Sequence, residues 1–182
     1  MLSQKYSEDG LKDLLISGED WKPFPTASER ESWAQVMDSV RDAHIRRGEE
    51  KLDFEWPPVP ATRFLDYARD GNRSRYERLS FGRRSALSSL VIAECMEGQG
   101  RFVDEIVNGL WLILEESSWV IPAHLGAQQA GRGLPDVTEP TVDLFSAETV
   151  ALVGWTVYLL EERLDEVSPL IVERCVQEAK ER

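Results

Sequence analysis

Residues 115 to 124 read EESSWVIPAH, a stretch that gathers two acids, two hydroxyls, an indole and an imidazole. Trp119 has the flat face that stacks on a sugar ring. His124 has the side chain best suited to carry a proton near neutrality or to donate to a carboxylate. The same residues also suit a helix end: EESS closes the apolar run that starts near Arg101, Trp119 packs over it, and Pro122 sets the exit direction. A single histidine more often satisfies a local partner than it catalyses, so the structural reading is favoured and cleft lining is the alternative. His44, near the stripe of an earlier helix, has the weaker case.

Two acids and a run of arginines supply further candidates. Glu94 follows Leu87, Leu90 and Val91 at stripe spacing, and Glu148 falls between Leu144 and Leu152, which places both on apolar stripes of corresponding helices. Buried carboxylates need partners. As a cleft pair they would resemble the acid and base of glycoside hydrolysis; as structural groups each would be tied to a helix end or an arginine, which is the reading we favour. The segment NRSRYERLSFGRR sets Arg73, Arg75, Arg78, Arg83 and Arg84 within about three helical turns. A guanidinium fork matches the carboxylate or sulfate of a sugar acid, and Arg73 and Arg75 are the proposed substrate contacts. Interleaved Glu77 and the many other acids favour a solvated, internally paired face.

Composition bounds these possibilities. The chain has 182 residues, 42% hydrophobic and 30% charged, enough for one domain, or part of one, with a sizeable core. A net charge of -12 opposes long-range attraction to nucleic acid or an anionic membrane. The N-terminus, MLSQKYSEDGLKDLL, has no apolar signal core, and the longest apolar run, residues 106 to 114, is half a membrane span, so a cytoplasmic protein without a membrane anchor is expected. Cys95 and Cys175 lack the spacing of a zinc or redox motif and read as reduced core residues. No cofactor or metal is implied.

Helical periods run through nearly the whole chain, and no sustained alternation marks a strand. A capping box of Thr26 and Glu29 opens a helix carrying Trp33, Val36, Met37 and Val40. Three prolines in FEWPPVPAT, residues 54 to 62, force an extended connection. A short helix from Thr62 stops near Gly71. Residues 75 to 96 and 101 to 115 form two apolar stripes joined by the glycine turn EGQG. A second pair spans 143 to 161, with Leu144, Ala147, Ala151, Leu152, Trp155 and Leu159 as its stripe, and restarts at Ser168-Pro169. The long loop 125 to 143 reads as the rim of a cleft. The expected class is all-α, a single domain of antiparallel helical hairpins forming part of an (α/α) toroid.

Several motifs in order carry a family resemblance: YARDGNRSRYE, IAECMEGQGRF, NGLWLILEESSWVIPAH, LPDV and VDLFSAETVALVGWTVYLLEERLDEVSPLI. The chain resembles the N-terminal part of heparinase II/III-type polysaccharide lyases. The resemblance implies an (α/α) toroid followed by a β-sandwich, and β-elimination on uronic-acid polysaccharides or oligosaccharides: the uronate is neutralised, a tyrosine or histidine takes the C5 proton, and the glycosidic oxygen leaves. The asparagine-rich NWNPW-like run and the glycine-rich tyrosine segment of that family do not occur in these residues. The chain is therefore expected to be a helical fragment, inactive alone, whose partners are an acidic glycan and a C-terminal remainder of the same protein. The alternatives are a toroid hydrolase using Glu94 and Glu148, or a helical scaffold without chemistry.

Overall fold

The computed structural model describes residues 8–12, 14–18 and 20–181, so part of the N-terminal stretch read for a signal lies outside the described residues. The described residues are all-α. The elements are α1 (Glu8–Lys12), α2 (Arg30–Ala34), α3 (Asp38–Glu49), α4 (Ala61–Asp70), α5 (Ser74–Glu97), α6 (Val103–Leu114), a 3-10 turn (Pro122–Ala127), α7 (Leu144–Val167) and α8 (Pro169–Glu181).

Helix ends follow the punctuation of the sequence. Gly71 and Gly98 close α4 and α5 with φ of 76° and 70°, and Gly100 follows at 82°, conformations that side chains with a Cβ rarely adopt. The α5–α6 pair is thereby the expected hairpin. Asp143 caps α7, its Oδ1 accepting from the Ser146 N–H at 2.7 Å. Ser168 breaks the chain out of α7 in an extended conformation, and Pro169 begins α8, which folds back on α7.

Two expectations are corrected. The single helix from Thr26 is two, α2 and α3, separated at Gln35 to Met37; Met37 is exposed, Val40 lies at the surface, and Trp33 is held by its indole N–H to the Thr26 carbonyl at 2.8 Å. Only half of the capping box forms, with the Thr26 N–H donating to Glu29 at 2.9 Å. The stripe of α7 is also rotated. Leu144 is 80% exposed and Glu148 is exposed, while Ser146, Thr149, Val153, Thr156, Leu160 and Leu164 face inward. The Thr149 and Thr156 hydroxyls each bond a carbonyl one turn back, at 2.8 Å, so both can be buried with their polar atoms satisfied. Helix α7, and not the 106 to 114 run, has the length and apolarity of a membrane span, and this inner face packs into the core.

One core joins these elements. Leu87, Leu90, Phe102, Ile106, Leu110 and Ile113 are fully buried between α5 and α6, and Leu160, Leu164, Ile171 and Cys175 extend the cluster to α7 and α8. Helix α3 crosses close over α5 because residue 48 is glycine. A Cβ there would lie 2.3 Å from that of Ala93. Burial pushes the Cys95 thiol up to about 12 and the Cys175 thiol to about 11, so both stay protonated near neutrality.

Candidate functional site

The site is built where α6 ends, far along α5 from its glycine turn. Helix α5 carries Arg83 and Arg84 side by side, and both are buried, at 5% and 7% exposure. A buried guanidinium needs a partner. Glu116, just past the end of α6, supplies it: Arg84 Nη2 donates to Oε2 at 2.7 Å, and Arg83 Nη1 donates to Oε1 at 3.1 Å. The forks are tied down elsewhere as well. Arg83 donates to the carbonyls of Pro57 at 2.9 Å and Leu112 at 3.0 Å, which anchors the proline-rich connection and the end of α6. Arg84 reaches Ser80 Oγ and Thr149 Oγ1, both at 2.8 Å, and stacks over Phe145, which binds α7 to the same cluster.

Outside this cluster lies a cleft of about 210 Å³. One wall is apolar: Val59, Phe64 and Tyr76, with the last two rings edge to face at 4.8 Å. Glu116, Ser117 and Ser118 add polar groups to the lining. Burial, followed by the neighbouring Glu116 carboxylate, pushes the Tyr76 phenol above its ordinary range, so it remains a neutral hydroxyl. The roof is Leu134, Pro135 and Val137 from the long loop, whose position depends on buried Gln128. That side chain donates to the carbonyls of Gly131 at 2.7 Å and Leu134 at 2.9 Å and accepts from the Asp136 N–H at 2.9 Å. A lining that combines aromatic rings with hydroxyl- and carboxylate-bearing side chains suits a small polyhydroxylated ring.

Of the candidates taken from the sequence, none lines this cleft. Trp119 is 1% exposed and its indole N–H donates to the Ile113 carbonyl at 2.9 Å, so it seals the end of α6 and presents no stacking face. His124 is half exposed, with Nδ1 at 2.6 Å from Asp143 Oδ2, a contact that ties the 3-10 turn to the cap of α7. Burial alone would raise Asp143, but the Ser146 N–H, the His124 ring and the Ile121 N–H hold it below the ordinary carboxylate range. Arg73 pairs with Glu77, and Arg75 with Asp70 at 2.7 Å and Asp66 at 3.3 Å, which leaves both on a solvated, internally paired face. His44 is half-buried on α3.

Glu94 and Glu148 are not brought together as an acid and base pair. Glu94 is fully buried at the other end of α5, where Oε1 accepts from the Gly100 N–H at 2.8 Å and fastens the turn, while Oε2 has no hydrogen-bond partner. Burial raises its carboxyl above the ordinary range against the bonds from Gly100 and Phe102. Glu148 stands exposed on α7.

The residues that sequence reasoning missed were close to those it chose. Glu116, Ser117 and Ser118 lie inside EESSWVIPAH and Tyr76 adjoins Arg75, whereas Arg83 and Arg84 are among the five arginines weighed from the sequence. A larger concavity of about 460 Å³ opens between α5 and α7, lined by Phe24, Trp33 and Trp155 among others. Its Trp33 N–H and Thr156 hydroxyl are already bonded to backbone carbonyls, which leaves Ser88 as the other polar side chain of a mainly apolar groove. Compared with known proteins, the chain matches no family model and no curated protein.

Proposed function

We propose that this chain is the helical, sugar-binding part of a heparinase II/III-like protein that acts on uronic-acid-containing polysaccharides or oligosaccharides by β-elimination, its hairpins forming part of an (α/α) toroid. The observation that supports this reading is convergence. Tyr76 from YARDGNRSRYE, Glu116 to Ser118 from EESSWVIPAH, and Leu134, Pro135 and Val137 from LPDV come from distant parts of the chain and line one cleft. Phe145 and Thr149, from VDLFSAETV, hold the arginine that holds Glu116. A concave surface lined by hydroxyl, carboxylate and aromatic side chains is the form that ligand sites take. The role assigned to the chain is to grip the glycan beside the scissile bond, with proton transfer supplied by residues outside these motifs.

The test is calorimetric titration of the chain with oligosaccharides that alternate uronate and neutral sugars. Saturable binding is expected. The reading is abandoned if such oligosaccharides do not bind, or if they bind no better than uncharged glucans of the same length. Release of unsaturated uronate, followed by its ultraviolet absorbance, separates elimination from hydrolysis for any form of the protein that turns the glycan over.

A further inference from the structure

Within that reading, we propose that the cleft takes one uncharged sugar ring and excludes the uronate, so that it is a neutral subsite beside the position where the acidic sugar is bound. The argument rests on which charges reach the wall. Among the described residues that line the cleft there is no lysine, arginine or histidine, and Glu116 is its one carboxylate. Arg83 and Arg84 stand behind that carboxylate and do not line the cleft; their donors point to Glu116, Ser80, Thr149 and the carbonyls of Pro57 and Leu112. The Glu116 carboxylate is already ion-paired by Arg83 and Arg84, so an anionic group entering from solvent meets a lining with no lysine, arginine or histidine of its own to pair with. Taking a uronate carboxylate out of water into a lining that offers it no cationic partner costs free energy, whereas a neutral ring carries no such charge.

A neutral pyranose meets complementary surfaces instead. Its axial C–H face fits against Phe64 and Tyr76, and its hydroxyls face the Ser117 and Ser118 hydroxyls and the Glu116 carboxylate. The size agrees, because about 210 Å³ is roughly the volume of seven liquid waters, room for a single ring. The arginine forks give the carboxylate a fixed place, and Gln128 fixes the roof, so the subsite exists before a ligand arrives.

The experiment compares two ligands that differ only at C6, a methyl glucopyranoside and the corresponding methyl glucuronide, by protein-observed NMR titration of the whole chain. The neutral glycoside is expected to bind at least ten-fold more tightly and to shift the amides of residues 116 to 118 and 134 to 137. Val137 is 67% exposed, so Val137→Trp fills the cleft from a surface loop and is expected to weaken neutral-ring binding at least ten-fold. Ala61→Trp, from an exposed position on the opposite rim, should do the same. Equal or tighter binding of the glucuronide at these amides overturns the proposal, as does binding that neither tryptophan weakens or the absence of binding by either ring. If uronate-containing oligosaccharides bind while the cleft prefers the glucuronide, the subsite assignment fails and the wider reading stands. If no glycan binds at all, both fall.

Discussion

Helix α5 buries a carboxylate near each end of its packed length, and the two are handled in opposite ways. Glu94 is sealed in at the α5–α6 turn, with one oxygen on the Gly100 N–H and the other without a hydrogen-bond partner. About ten residues back along the helix, roughly 15 Å of rise, Arg83 and Arg84 grip Glu116 from both sides, and its carboxylate forms part of an open wall. Burial alone therefore does not mark a site. A buried acid that faces only packed chain fastens a turn, whereas Glu116, held by fixed cations, joins three helices beside a cleft.

Removing a cation from the Glu116 end should have the largest effect. Arg84→Ala leaves a buried carboxylate with half its partners, strips Thr149 and Ser80 of theirs and opens a gap against Phe145. A loss of about 3–5 kcal/mol in urea-induced unfolding is expected. A loss below about 1 kcal/mol would mean that the cluster does not organise this end of the fold. Arg84→Met should lose less than Arg84→Ala, because it refills the gap against Phe145 while Arg83 still pairs with Glu116, and it should still weaken sugar binding.

Asp143→Ala acts next to the cluster, at the start of the helix that carries Thr149. It removes the cap on Ser146 and the acceptor for Ile121 and His124, and should cost about 1–2 kcal/mol. Hydrogen exchange at the first turn of α7 and in residues 121 to 124 should rise together. If only the α7 amides respond, Asp143 is a cap and nothing more.

Glu94→Gln tests the other end, where the expected effect at neutral pH is within about 1 kcal/mol because relief of a buried charge and addition of an amide donor oppose each other. Its pH dependence decides the matter. The folded carboxyl is raised, so its contribution to stability is fully present below the unfolded value and is lost as pH rises through the folded value. Relative to the native chain, E94Q should gain stability as pH rises from acidic to mildly alkaline. A difference that stays constant across that range would show that the charge at Glu94 carries no penalty.

The same contrast explains what could be read from the chain without its structure. Glycines at 71, 98 and 100 and the Ser168-Pro169 step announce their turns, because a positive φ or a missing N–H is a local property. Glu94 was legible as buried because its stripe lies on its own helix. The buried face of α7 was not, since Thr149 and Thr156 hide their hydroxyls on backbone carbonyls and enter the core as small β-branched residues. Glu116 was invisible for a different reason: three residues of one helix and loop cannot reveal that two arginines thirty positions earlier will fold over them. The site is a long-range pairing, and its residues carry no spacing rule of their own.

The smallest effect expected is at His124, and it is the one that separates a latch from an ornament. The ring is 42% exposed, so its pairing with Asp143 should contribute only about 0.2–1 kcal/mol. The informative quantity is again the pH at which stability is lost. Asp143 is held below the ordinary carboxylate range in part by this ring, so its contribution is present above the unfolded value and disappears as pH falls through the folded one. In His124→Ala the folded value should move back toward the ordinary range, so the loss of stability is greatest near neutrality, vanishes in strong acid, and brings acid unfolding to a higher pH. Acid unfolding at an unchanged pH would show that the Ser146 and Ile121 N–H groups hold Asp143 by themselves. The imidazole would then have no part in fastening the 3-10 turn to α7, and the loop roofing the cleft would be held by Gln128, by Glu139 on the Gln129 N–H and by Arg132 over Tyr67.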